Sequence, residues 1–392
     1  MVVIPFQKGS NAERSRSRNK QAVLVQVRGA GTIGRAEIAR ALSLTTQTVS
    51  NIIAELFDDG MLLDKGRLSA GRGLPAIQYA LNPEGGYALG IEVRPDAVFA
   101  ALLDMQGRSV SSERIALQQN HPEVVLTHVK ALYRRALDKV PTAKGRMLGA
   151  GIVMPGPLGV TGIAGMESDL TGWQEVDAAA LFTDATGLPV MLSNDANAAA
   201  IAERLNGVAQ DIASFAYLYF GAGLGLGLIH QGQLVSGAYG NAGEIGHIPI
   251  PDSIYGQSGK LEDALSRLSV ERHLRAANKA ADRIDALEQL FEQRDPDLFA
   301  WLDTASDALG HAMVIVENLF DPQTVVLGGA MPDAILDHLV AHAPLPSLSV
   351  SNRPQAPFPR LMRGASGRMT ATFGAAALIL NRALSAPISH TH

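Results

Sequence analysis

The chain has 392 residues, 47% hydrophobic and 18% charged, with a formal net charge of −5. That length exceeds one hydrophobic core, so two or three domains are expected, and the composition excludes a disordered chain. The absence of cysteine excludes disulfides and Cys-ligated metals, and no apolar run reaches the length of a membrane span.

The first twenty residues carry Lys8, Arg14, Arg16, Arg18 and Lys20 among Ser and Asn. They show no signal-peptide pattern, so a cytoplasmic protein is expected. This basic stretch reads as an arm that is disordered in the free protein and touches a phosphate backbone. An apolar stripe over Ala22 to Val27 predicts a supporting helix. Next comes RAEIARALSLTTQTVSNIIAELFDDGMLL. It predicts a short helix over Arg35 to Leu42, a turn at Ser43-Leu44-Thr45, and a second helix from about Thr46 to Asp59. Val49, Ile52, Ile53, Leu56 and Phe57 fall at helical spacing. Thr45 is the expected N-cap, and Gly60 the residue after the last turn.

Met61 to Leu63 and Ala76 to Leu81 read as two strands around the Gly-rich segment DKGRLSAGRGLP, a winged-helix pattern. Arg35, Thr46, Gln47, Thr48, Ser50 and Asn51 are the expected contacts to operator DNA in the major groove, and Arg67 and Arg72 those of the wing. The competing reading is an ordinary helical hairpin. Charge favours DNA. Residues 1–83 hold eleven Lys and Arg against six Asp and Glu, about +5, and the rest holds 22 against 32, about −10. A basic head then meets phosphate while an acidic body does not.

A boundary is expected near Asn82-Pro83-Glu84-Gly85-Gly86. Beyond it, strands are predicted over Tyr87–Val93, Val98–Asp104, Leu148–Met154, Val190–Ser193, Phe215–Phe220, Gly225–His230 and Thr324–Leu327. Helices are predicted over Pro122–Asp138, Ala196–Leu205, Ser306–Leu319 and Ala371–Leu384. This alternation argues an α/β body. Asp195 follows a buried strand at the mouth of a helix. A carboxylate there can accept a proton from an alcohol, or it can cap the helix. Asn194, Glu244, His247 and Glu262 can hydrogen-bond a ring of hydroxyls. The plainer reading of Glu244 and His247 is a satisfied Gly-rich turn.

The runs Asn194-Asp195-Ala196-Asn197-Ala198-Ala199-Ala200 and Gly237–His247 (GAYGNAGEIGH) resemble the ROK family of repressors, open reading frames and kinases. So do Gly151–Pro157, Leu170–Trp173, Gly221–Gly225, Val325–Gly329 and the winged helix, and the resemblance covers about residues 15–385. It implies a winged helix-turn-helix over 1–83 and a two-lobed actin- and hexokinase-like body over 84–392. Lobe 1 would take about 84–195 plus the C-terminal helix 371–385, and lobe 2 about 196–370. It also implies a sugar site at Gly156, Asn194, Asp195, Glu244, His247 and Glu262, and a homodimer or homotetramer.

Two departures from the family matter. Its kinases end their first strand in Asp-x-Gly-Gly-Thr, where backbone approaches the ATP phosphates. Here Arg94, Pro95 and Asp96 replace the two glycines and the threonine, and Pro95 brings no N–H donor. In the second phosphate loop Ala222 stands for the usual Thr. Many members also hold structural zinc through the GEIGH histidine and three cysteines. This chain has no cysteine, and Lys260 stands where the last one would precede Leu261-Glu262. Neither ATP nor zinc is expected, and Asp195 becomes a vestigial base. Ile248, Ile250 and Ile254 are expected to hold the loop that zinc would have held. In the wing, Gly71-Arg72-Gly73-Leu74-Pro75 has one arginine fewer than the family's usual Gly-Arg-Gly-Arg-Pro. The preferred expectation is a sugar-responsive repressor without enzyme activity. The alternatives are a sugar kinase with a DNA-binding head, and a repressor controlled by a protein partner.

Overall fold

The computed structural model describes residues 11–68, 76–155, 170, 172–173, 176–281, 283–364, 367 and 369–384. Gly156, Arg72 and the Gly71–Pro75 turn lie outside them. The chain divides into two compact units. One is Met1–Ile152, Leu170–Leu192 and Ala375–His392; the other is Val153–Asp169 and Ser193–Gly374.

The first unit opens with helix α1 (Asn11–Ala30), strand β1 (Ile33–Gly34), and helices α2 (Arg35–Leu42) and α3 (Thr46–Asp58). Strands β2 (Leu62–Leu68) and β3 (Ala76–Leu81) complete a three-stranded antiparallel sheet in the order β1-β3-β2. Val23, Leu24, Val27, Ile38, Val49, Ile52, Ile53 and Leu56 are buried. The Thr45 hydroxyl accepts the Thr48 amide, and Gly60 turns the chain at φ +72, as helix-terminus chemistry requires.

Two expectations fail in this head. Phe57 is 49% exposed, because the apolar stripe on α3 is narrower than the sequence pattern suggests. The basic stretch from residue 11 is helical. Arg16 pairs with Glu55, and Lys20 lies 2.6 Å from Glu55 and 3.7 Å from Asp59. Those two cations are held by the acids at the far end of α3, where the pairing supports the helix. Hydrogen bonds from Arg16 and then Lys20 keep the Glu55 carboxyl below its ordinary range.

The head is seated on the rest of its unit through Asn82 to Gly86. Asn82 donates to Gly60 O at 2.6 Å, and Arg146 donates to Glu84 O at 2.7 Å. A side chain at Gly85 would stand 2.9 Å from Gly60 O and Met61 Cα, so only glycine lets the two backbones meet. Beyond this turn lie β4 (Tyr87–Arg94), β5 (Ala97–Asp104), β6 (Ser109–Ala116), helix α4 (Pro122–Lys139), β7 (Met147–Val153), α5 (Ala178–Thr186) and β8 (Val190–Ser193). The sheet order is β6-β5-β4-β7-β8. β4 and β5 are buried on both faces, which is why they read as continuous apolar runs. β6 alternates exposed and half-buried residues, as an edge strand does, and the sequence reading missed it.

In the second unit the described elements are α6 (Asp195–Asn206), then β9 (Phe215–Phe220), β10 (Leu224–His230) and β11 (Gln233–Leu234). A short ladder follows from β12 (Pro249–Ile250), the single turn α7 (Asp252–Tyr255) and β13 (Gly259–Lys260), leading into α8 (Leu261–Ala264). Helices α9 (Arg267–Ala276), α10 (Ile284–Glu292), α11 (Pro296–Phe320), strand β14 (Val325–Gly329), α12 (Asp333–His342) and β15 (Leu361–Arg363) close the layer. The sheet β11-β10-β9-β14-β15 is mixed: β9–β10 is antiparallel, and β9–β14 and β14–β15 are parallel. α11 is ten residues longer at its start than predicted, with Asp295 as N-cap and Pro296 at its first turn. The closing helix α13 (Thr370–Leu384) has Gly374 against Ala198 in this unit and continues into the first unit from Ala375.

Candidate functional site

The second unit contains Asn194, Asp195, Glu244, His247 and Glu262; Gly156 lies outside the described residues. α6 starts this site. Asn194, 6% exposed, is its N-cap: Oδ1 accepts the Asn197 amide at 2.9 Å. Asp195 is therefore the first helical residue and not the cap, and the capping role considered for it belongs to its neighbour. Its carboxylate sits at the helix N-terminus, where aligned peptide dipoles favour negative charge. The alanines that follow are buried because the helix presses onto glycines of β10. A side chain at Gly225 would stand 2.7 Å from Ala196 Cβ, and one at Gly227 would meet Ala196 O and Ala200 Cβ.

The turn between β9 and β10, Gly221-Ala222-Gly223, is a seat for two acids. A Cβ on Gly221 would lie 2.8 Å from Asp195 Oδ2. One on Gly223 would collide with Glu262 Oε2, and one on Gly246 would stand 2.9 Å from the same oxygen. The glycines thus let Asp195 and Glu262 reach the same turn from α6 and α8. Their lack of a Cβ is what makes room for the two carboxylates.

Glu244, His247, Lys260 and Glu262 form a chain of polar contacts. His247 Nε2 is 3.8 Å from Glu244 Oε2, Nδ1 is 3.4 Å from Lys260 Nζ, and Lys260 Nζ is 2.5 Å from Glu262 Oε1. The side chains keep 21–39% of their exposure, enough to meet a ligand. Burial raises the Glu244 carboxyl above its ordinary value; the Glu262 charge adds to this and His247 opposes it. The loop carrying these residues is held by Ile250, which is buried, with Ile248, Ile254 and Tyr255 packed on the same core.

The zinc that the fold family implies does not fit these residues. The chain contains no cysteine, and among the described residues no cluster of three or more ligand-type side chains is placed to hold a metal ion. The group facing His247 Nδ1 is an ammonium, itself a cation. Lys260 is the site residue that sequence reading missed. Its signal was available, a cation directly before Leu261-Glu262, but the gapped stretch after His247 hid which way it turns.

In the first unit, Arg94-Pro95-Asp96 forms the β4–β5 hairpin turn. Arg94 Nε donates to Glu92 at 2.5 Å, and its guanidinium lies over the Phe99 ring at 4.5 Å. Arg114 pairs with Asp96 at 3.5 Å. Leu170 and Trp173 of the family-like motif are buried, and the Trp173 indole donates to Asn120 O and stacks on Phe182.

On the head, Arg35, Thr46, Gln47, Asn51 and Arg67 are exposed. Gln47 Nε2 donates to Asn51 Oδ1 at 3.1 Å, which leaves the Asn51 amide nitrogen and the Gln47 oxygen facing outward. Thr48 and Ser50 are half-buried and partly engaged: the Thr48 hydroxyl bonds Thr45, and Ser50 donates to Thr46 O and accepts from Arg35. They orient the helix start more than they offer free groups.

Residues 88–382 match the ROK family. The chain is 25% identical over 313 residues to the xylose repressor of Bacillus subtilis, covering 79% of this chain and 81% of that protein. It is 26% identical over 325 residues to a transcriptional regulator of Mycobacterium tuberculosis, covering 79% and 73%. Its fold matches a crystal structure of a ROK family transcriptional regulator, a homolog of the E. coli MLC protein. That match has a TM-score of 0.71 at 23% identity over 95% of this chain and 97% of that one. A ROK hexokinase from Thermus thermophilus matches with a TM-score of 0.57 at 27% identity, over 74% of this chain and 97% of its own. The regulator fold thus runs nearly the whole length of this chain, and the hexokinase fold about three quarters of it. With the family pattern over some three quarters of its residues, the chain belongs to the ROK family.

Proposed function

We propose that this chain is a sugar-responsive transcriptional repressor, with residues 1–83 as its DNA-binding head and residues 84–392 as its sensor body. The observation that carries the reading is the coexistence of two sites in one chain. An exposed polar helix start is backed by a wing, and a polar cluster of Asn194, Asp195, Glu244, His247 and Glu262 is of the kind that binds hydroxyls. The similarity to a xylose repressor over 79% of this chain supports it. The protein acts as a homodimer or homotetramer whose heads meet two half-sites, in the cytoplasm. Among the described residues no helix is long and apolar enough to cross a membrane.

The sugar acts through its different affinity for the DNA-bound and free states. Asn194 and Asp195 follow directly on the chain crossing at Leu192/Ser193, and the head belongs to the other unit. A ligand that pulls on α6 therefore bears on one of the four places where the chain passes between the two. A shift in half-site spacing then costs DNA affinity.

A kinase reading is disfavoured by the first turn, where Arg94, Pro95 and Asp96 fill a place that phosphate needs open, and by Ala222. Asp195 then serves as a ligand to the sugar and abstracts no proton. Control by a protein partner is disfavoured because the chain keeps Asn194, Asp195, Glu244 and His247, polar groups of the kind that binds a sugar.

The test is thermal melting against pentoses, with xylose first, hexoses, N-acetylated amino sugars and their phosphates, each with and without ATP-Mg. A ligand at 100 times its Kd adds about 2.7 kcal/mol to the folded state. One neutral sugar should stabilise the protein, ATP should not, and that sugar should weaken operator binding. Equal sugar affinity with and without operator would remove the proposal, and stabilisation by ATP would bring the kinase forward.

A further inference from the structure

The geometry points to Lys260 as the positioning residue of the sugar site: its ammonium fixes the His247 ring so that Nε2–H and Glu244 together hold one ligand hydroxyl. This deepens the reading above and rests on it for the ligand, though not for the ring.

Lys260 is placed by backbone and not by chance rotamer. In the β12–β13 ladder it pairs with Pro249, two residues after His247. Its own amide donates to Asp263 Oδ2 at 3.0 Å, and the next amide, Leu261, donates to Ile248 O at 2.9 Å. The loop end is thus tied to the strand leaving His247 on one side and to the start of α8 on the other. From there Nζ reaches Glu262 Oε1 at 2.5 Å and His247 Nδ1 at 3.4 Å.

An ammonium has donors only. At this contact Nδ1 must offer its lone pair, which leaves the ring proton on Nε2. Nε2 stands 3.8 Å from Glu244 Oε2, too long for a direct hydrogen bond. A hydroxyl can bond both: its oxygen accepts from Nε2–H, and its proton goes to the carboxylate. Neither an ether nor a phosphate oxygen can do both. The cluster also sets three carboxylates (Asp195, Glu244, Glu262) against one lysine, and that lysine is already engaged by Glu262. The ligand class is therefore a neutral polyhydroxyl compound, and its phosphate ester is rejected.

The test is a ¹⁵N spectrum of the histidine side chains in the full-length protein without ligand, with His247 assigned by loss of its signals in His247→Gln. We expect a lone-pair type signal for Nδ1 and a protonated type for Nε2. In Lys260→Met the Nδ1 signal should move, and affinity for the effector sugar should fall about tenfold, as loss of one oriented hydrogen bond does. Lys260→Arg should restore part of both. A protonated-type Nδ1 in the wild type, or an unmoved Nδ1 signal in Lys260→Met, would overturn the assignment. A sugar phosphate that binds as tightly as the free sugar would overturn the ligand class. The ring spectrum needs no ligand, so a wild-type protein that binds no sugar refutes the functional reading without touching the histidine result.

Discussion

The glycines of the β9–β10 turn give the sharpest separation between site and fold. A Cβ on Gly223 meets only Glu262 Oε2, the far end of a flexible side chain, whereas a Cβ on Gly227 meets the Ala196 carbonyl and Ala200 Cβ, the body of α6. Gly223→Ala should therefore push the Glu262 carboxylate away and leave the fold alone. A hydrogen bond to a charged group contributes about 1.5–3 kcal/mol, so sugar affinity should fall roughly 10- to 150-fold. Gly227→Ala overpacks the helix–sheet contact at a cost of about 1–3 kcal/mol. At roughly 2–4 °C per kcal/mol for a unit of this size, its Tm should drop by several degrees. The assay is paired: Tm by calorimetry without ligand, and sugar affinity by titration, on both variants. If Gly223→Ala lowers Tm as far as Gly227→Ala does, the turn is a fold element and the seating argument is wrong. If it binds sugar like the wild type, Glu262 is not a ligand.

Three further outcomes follow from the same geometry. Gln47→Ala and Asn51→Ala should each weaken operator binding by about 1–3 kcal/mol with loss of base discrimination, measured by fluorescence anisotropy on single-base operator variants. Arg67→Ala should weaken all sequences alike and lower the salt slope of binding by about 1; an unchanged slope would take Arg67 out of the interface. Burial raises the Glu244 carboxyl above its unfolded value, so its proton stabilises the fold below the unfolded value, and that stability is lost as pH rises through the raised one. Glu244→Gln should then raise Tm near neutral pH, lose that gain on acidification below the ordinary carboxylate range, and weaken sugar binding at every pH.

Much of the head was legible because its signals are local. Thr45, Gly60 and the apolar spacing on α3 each act within a few residues, and the boundaries of α2, α3 and β3 fall within one residue of expectation, whereas α1 and β2 run well past theirs. What failed there was long-range. The basic stretch looked like an arm because Glu55 and Asp59, its partners, come some forty residues later. β1 is two residues long and is a strand only through its bonds to β3. In the body, Asn194, Asp195, Glu244 and His247 were found from short motifs, and the structure brings them to one unit. Which of Asn194 and Asp195 caps the helix was not legible, since either side chain has the chemistry and one residue of register decides it. Lys260 was seen as the loss of a ligand and not as the gain of one.

The two Gly-rich elements that resemble phosphate loops therefore carry different information. In the first, Arg94 pairs with Glu92 and covers Phe99, and Arg114 pairs with Asp96, so the turn is filled by its own side chains. In the second, Gly221 and Gly223 remain because the Asp195 and Glu262 carboxylates need the space that a Cβ would take. Retained glycine is evidence about whatever stands closest to it. Here that is an acid in both cases, and carboxylates repel an anion where they would welcome a hydroxyl. The second turn is thus shaped around two carboxylates that lean on it from α6 and α8.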